Sequence, residues 1–139
     1  MVYHILNGDA LKEQLPTLSG EVIVFRECLV EGPVKAADEQ NGKLLEEVME
    51  PKSQQYVLAG GKLTSFSTTD YIAMVNAKKL GGKPRKITYR LAEFSGKNLA
   101  IVVLNAVSDQ FDFLYQFSMT KRADGKWEIV AVTAEVSGV

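Results

Sequence analysis

The chain has 139 residues, 46% of them hydrophobic and 24% charged, with a formal net charge of -1. That length makes one ordinary domain, and that apolar share can build a core without disulfides or a structural metal. The near-neutral balance argues against a nucleic-acid binder, no apolar run approaches the roughly 20 residues that span a bilayer, and a lone cysteine, Cys28, predicts a reducing, cytoplasmic setting.

The N-terminus, MVYHILNGDA, has no basic n-region, and Asn7, Gly8 and Asp9 break its apolar run. No signal peptide is expected. Residues 2–6 read as a short strand, Asn7-Gly8-Asp9 as a turn or helix cap, and residues 10–15 as a helical piece stopped by Pro16. After Gly20, the run Glu21-Val22-Ile23-Val24-Phe25 is of strand type, so the front of the chain reads β-α-β. The pattern changes near Gly32-Pro33. This divides an N-terminal segment, 1–33, from a body, 34–139.

In the body, residues 34–38 and 43–49 read as helix with a break at Asn41-Gly42; Leu44, Leu45 and Val48 make its apolar stripe, and Pro51 ends it. Residues 54–58 and 62–66 read as a hairpin through Ala59-Gly60-Gly61. Ser67, with Asp70 three residues later, caps a helix that buries Tyr71, Ile72, Met74 and Val75 and ends at Gly81-Gly82, with Lys78 and Lys79 in its last turn. Four strands follow, at 86–94, 99–107, 111–120 and 127–136, in an antiparallel meander. The run from Leu99 to Leu104 is apolar at every position, so both of its faces need cover.

This order of elements resembles the nuclear transport factor 2-like superfamily, and within it the bacterial group called lumazine-binding-like or SnoaL-like. The residues that carry the likeness are LLEEVMEPKSQQYVLAGGKLTSFSTTDYIAMV, GGKPRKITYRLAEFSGKNLAIVVLNA and DFLYQFSMTKRADGKWEIV. It covers about residues 38–139. The resemblance implies an α+β, cone-shaped fold with a curved antiparallel sheet packed on helices. It also implies a pocket between them, and pairing with a second copy through the sheet as a homodimer. Residues 1–33 are instead similar to the start of a different bacterial family of unknown function. Either the front is joined from another source at Leu29-Val30-Glu31-Gly32, or residues 18–38 are a degraded first helix. The β-branched residues Ile23 and Val24 weaken the second reading.

Such a pocket needs polar groups aimed inward among apolar ones. A tight hairpin through Ser108-Asp109-Gln110 sets Asn105 opposite Phe113 and puts Asn105, Phe113 and Tyr115 on one face, with Asp112, Leu114 and Gln116 on the other. Asn105, an amide in an apolar strand, is the leading ligand-binding candidate, against a plain strand-end role. Tyr71, Tyr89 and Tyr115 offer hydroxyls, against ordinary core packing. Asp112 is the one acid inside a strongly apolar strand and the weak candidate for a catalytic base, against a solvated hairpin end. His4 is the only histidine, and no metal-ligand pattern or phosphate loop is present in the sequence, so neither metal nor cofactor is expected. Lys78, Lys79, Lys83, Arg85 and Lys86 read as a solvated basic loop, with a site for an anionic ligand or partner as the lesser reading.

Three functions stay open at this point. One is a non-catalytic domain that binds a small apolar or aromatic molecule. The second is an isomerase or cyclase using Asp112. The third is a dimeric interaction module whose pocket is filled by Phe113, Phe117, Met119 and Trp127. No nucleic acid or membrane partner is expected.

Overall fold

A computed structural model describes residues 2–4 and 31–139 of the chain. The expectations for the turn at Asn7-Gly8-Asp9, the helical piece at 10–15, the strand at 21–25 and Cys28 lie outside the described residues. Strand β1 (Val2–His4) pairs antiparallel with the strand at 86–94, so the chain's beginning joins the same sheet as its body.

Helix α1 (Glu31–Asp38) begins two residues before Pro33 rather than after it. Proline in a first turn removes an N–H that has no helical partner anyway. Helix α2 (Gly42–Val48) follows the expected break, with the Asn41 side chain accepting the Lys43 N–H at 3.2 Å. The next strand, β2 (Met49–Ala59), starts earlier than expected and runs through Pro51. Its pairing with the final strand is interrupted between Met49 and Gln54, so Pro51 is not asked for a ladder hydrogen bond.

Strand β3 (Lys62–Ser67) returns through Gly60 and Gly61, at φ 57° and 78°. A two-residue turn with positive φ at both positions matches the strand twist, and glycine adopts such φ without steric cost. Helix α3 (Thr68–Asn76) opens at the Ser67 cap, whose hydroxyl accepts the Asp70 N–H at 3.1 Å. It stops at Asn76, short of the glycine pair, so Lys78 and Lys79 lie beyond it. The Asn76 side chain instead accepts the Gly42 N–H at 2.9 Å and ties α3 to α2. Of its expected buried side only Val75 is fully buried; Tyr71, Ile72 and Met74 are half-buried.

Strands β4 (Lys86–Phe94), β5 (Leu99–Val107), β6 (Phe111–Lys121) and β7 (Trp127–Gly138) form the expected meander. The seven strands lie in the order β1-β4-β5-β6-β7-β2-β3. The sheet is mixed, because β2 runs parallel to β7. Irregularities at Tyr89/Leu91 and Ser118/Met119 break the ladder and bend it, and the result is an open, curved α+β cone.

Its inner face carries Val102, Leu104, Phe117, Met119 and Ile129, which close on Val34, Leu45 and Val75 from the helices. Each such fully buried aliphatic side chain contributes about 1.5–3 kcal/mol. Along β5 the alternation is strict: Ala100, Val102, Leu104 and Ala106 face in, while Ile101, Val103 and Asn105 are half-buried on the outer face. Among the described residues no helix is long and apolar enough to cross a membrane, and no cluster of three metal-ligating side chains occurs.

Candidate functional site

A cavity of about 400 Å³ opens between the inner face of the sheet and the segment joining α3 to β4. Three strands supply its floor, through Phe113 and Tyr115 of β6, Val132 and Ala134 of β7, and Val57 of β2. Phe66 and Tyr71 stand on the α3 side, and Ala37 and Asp38 come from the last turn of α1. The Phe113 and Tyr115 rings stack with centroids 5.9 Å apart and planes 10° from parallel.

One glycine decides where the α3–β4 segment can run. A Cβ on Gly81 would sit 1.8 Å from the Ala37 carbonyl oxygen, and its φ of 78° is left-handed. The segment is thereby pressed onto the end of α1, where the Gly82 N–H donates to Ala37 O at 3.1 Å and the Gln40 amide donates to Leu80 O at 3.2 Å. That close approach brings Asp38 and Arg85 together.

Arg85 is the most connected polar group of the cavity wall. Its Nε donates to Asp38 Oδ1 at 2.5 Å, Nη1 to the Tyr115 hydroxyl at 2.6 Å and Nη2 to the Val34 carbonyl at 3.2 Å. The guanidinium lies 4.9 Å from the Phe113 ring centroid and 5.5 Å from that of Tyr115, within cation–π range. Only 6% of its side chain is exposed, and 12% of that of Asp38. Three of its five N–H groups are committed in these bonds, which leaves one on each Nη.

The titration directions follow from this packing. Burial opposes charge on Arg85, but Tyr115 and Asp38 outweigh it and hold the guanidinium above its ordinary value. Burial pushes the Asp38 carboxyl up, and the charge and hydrogen bonds of Arg85 offset this only in part. Arg85 stays protonated at any ordinary pH, and Asp38, 2.5 Å from it, is its ionic partner. Burial also raises both tyrosines: Tyr115 against the pull of Arg85, and Tyr71 with a further push from Tyr115. Both hydroxyls are therefore neutral donors. Among the described residues the Tyr71 hydroxyl has no hydrogen-bond partner.

Of the residues singled out in sequence, Tyr71 and Tyr115 line the cavity. Tyr89 is buried in the core cluster beyond it. Asn105 and Asp112 lie elsewhere, and the face assignment is corrected. Asn105 is opposite Leu114 and Leu104 is opposite Tyr115, one residue out from the expected register. The cause is local. Ser108 Oγ accepts the N–H groups of Gln110 and Phe111 at 3.2 and 3.1 Å, and Ser108 N–H donates to Phe111 O. Ser108 thus joins the ladder, leaving a two-residue turn at Asp109-Gln110. A one-residue slip sends every side chain to the other face. Asn105 and Asp112 meet on the outer face, where the Asn105 amide donates to Asp112 Oδ1 at 2.6 Å.

Asp38 and Arg85 were not singled out in sequence, where they read as a helix-end residue and part of a solvated loop. Lys78, Lys79, Lys83 and Lys86 are indeed exposed, but Arg85 is not. Two signals point to the pair. Arg85 is in phase with the inward-facing Ile87 and Tyr89 at the strand's period of two. An acid at the C-terminal end of a helix is unfavourable for the helix dipole, which calls for a cation nearby.

The sequence matches the family described as "Putative lumazine-binding" over residues 27–133. No curated protein has a matching sequence. Among solved structures, the chain is similar to an NTF2-like protein of unknown function from Silicibacter pomeroyi, with a TM-score of 0.72, 18% identity, and coverage of 86% of this chain and 99% of that one. An NTF2-like protein of unknown function from Shewanella baltica gives 0.72 at 14% identity, covering 84% and 94%. A ketosteroid isomerase-like protein from Erwinia carotovora atroseptica gives 0.67 at 12% identity, covering 86% and 98%. At these identities the likeness speaks to fold alone.

Proposed function

The chain belongs to the lumazine-binding-like family of NTF2-like domains, and from that premise we propose that it binds a small, largely apolar molecule in its cavity and performs no chemistry on it. The observation that carries this reading is the cavity itself: about 400 Å³, walled mainly by aromatic and aliphatic side chains, with a few convergent polar groups. That is the ordinary make-up of a small-molecule site. The family's description, which names a flat heterocycle as ligand, supports an aromatic occupant.

The non-catalytic part rests on Asp38. Among the described residues it is the carboxylate in the cavity wall, and it is the counter-charge of the buried Arg85, so taking up a substrate proton would leave that guanidinium unpaired. The lone cysteine supports a cytoplasmic setting.

A thermal-shift screen with aromatic and polycyclic compounds tests the reading. A ligand at 100 times its Kd adds about 2.7 kcal/mol of stability. A stabilising compound recovered unchanged after long incubation is the expected result. Conversion of that compound would sink the non-catalytic part, and silence across the screen would sink the binding part.

A specific observation favours pairing with a second copy. Leu91, Ile101, Val103 and Leu114 are half-buried neighbours on the outer face of β4–β6, forming an apolar patch framed by polar side chains. Sedimentation that stays monomeric at high concentration would count against a homodimer.

A further inference from the structure

The charged side chains around the cavity are mostly of one sign. Among the described residues its cationic side chains are Lys79, Lys83 and Arg85, and its one carboxylate is Asp38, already paired with Arg85. The whole chain carries a net charge of -1, so this excess of positive charge is local. Lys83 has a loose contact with Asp109 at 3.8 Å, with both side chains largely exposed. Lys79 has no carboxylate partner among the described residues. The uncommitted groups around Arg85 are donors: its own two remaining N–H groups and the hydroxyl protons of Tyr71 and Tyr115; the amides of Gln55 and Gln110 elsewhere in the lining offer acceptors as well. An apolar basin with more cations than carboxylates in its wall, and with donors gathered at Arg85, is matched by an acceptor-rich anion.

We propose that the cavity's ligand is an acid, with an apolar body against Phe113, Val132 and Ala134 and one anionic group toward Arg85, Tyr71 and Tyr115. Lys79 and Lys83, exposed on the rim, attract that group before contact. The inference rests on the reading that the cavity holds a small molecule. A charged hydrogen bond in a partly buried site distinguishes the acid from a neutral isostere by about ten-fold in affinity or more.

The test is calorimetric titration of the full chain at neutral pH and low salt. Two matched pairs serve as probes: 2-naphthoate with 2-naphthamide, and 4-phenylbenzoate with its amide. The expected result is that a carboxylate binds at least about ten-fold more tightly than its amide. In the Lys79→Ala/Lys83→Ala double variant the carboxylate should lose several-fold in affinity and the amide none, because both lysines are exposed and their removal leaves the fold intact. An amide that binds as tightly as its acid overturns the proposal while leaving the cavity a small-molecule site. No binding by any of the four probes overturns the site reading, and the acid preference with it.

Discussion

Asp38 Oδ1 and Arg85 Nε meet at 2.5 Å across 47 residues of chain, joining the last turn of α1 to the start of β4. The contact does two things. It closes the helical layer onto the sheet, and it holds a guanidinium in the wall of the cavity, over the Phe113 and Tyr115 rings.

Asp38→Ala should therefore destabilise the fold. It leaves Arg85 buried without its counter-charge, and breaking a buried pair from one side costs about 3–5 kcal/mol. Asp38 retains 12% of its side-chain exposure, so about 2–3 kcal/mol is expected. Urea unfolding should show it as a lower midpoint at unchanged slope. The double variant Asp38→Leu/Arg85→Met should recover much of the loss, since it removes both charges together. A single variant within about 0.5 kcal/mol of the parent would mean the pair is not buried as described.

Alkaline pH should reveal the two cavity tyrosines. Burial raises both Tyr71 and Tyr115 in the folded state, so the native protein holds these protons after the unfolded chain has released them. Stability from this source is complete below the ordinary tyrosine value of 10.0. It falls as pH rises above that, by up to about 1.4 kcal/mol per pH unit for each tyrosine. Denaturation curves from pH 8 to 11.5 should steepen their decline above pH 10, and Tyr71→Phe should flatten it. In a tyrosinate absorbance titration, Tyr71 and Tyr115 should ionise only on unfolding. Smooth ionisation of both in the folded protein would contradict the burial.

Gly81→Ala combines a forbidden contact with a left-handed φ. Its Cβ would lie 1.8 Å from a backbone oxygen that cannot rotate away. A loss of about 2 kcal/mol or more is expected, with weakened ligand binding, because the same segment carries Lys79, Leu80 and Lys83 into the cavity wall. By contrast Gly96→Ala, whose Cβ meets nothing, should be nearly silent. Equal effects of the two substitutions would remove Gly81 from its stated role.

Asp112→Asn should change little. It keeps the outer-face contact with Asn105 in neutral form and lies on the opposite side of the sheet from the cavity. A stability change below about 1 kcal/mol and an unaltered ligand affinity are expected from denaturation and titration. Loss of binding on this substitution would mean that the register, and with it the whole face assignment, is wrong.

The strands and turns of the body were legible because their signals are local. The apolar runs bounded by Gly96, Asp109 and Gly125 give β4–β7 to within two residues at each end. The Ser67 cap and the Gly60-Gly61 turn likewise depend on groups a few bonds apart. Nothing comparable fixes register. Whether the β5–β6 turn holds two residues or three is decided by one Ser108 hydroxyl, and that choice sends Asn105 and Asp112 outward. From sequence alone the chain is thus a strand-rich α+β domain of recognisable family, with tyrosines that read as pocket or core residues alike. Only the tertiary structure decided which polar groups line it. Asp38 and Arg85 are unremarkable in their own neighbourhoods, and burial against a distant partner is what makes either of them matter.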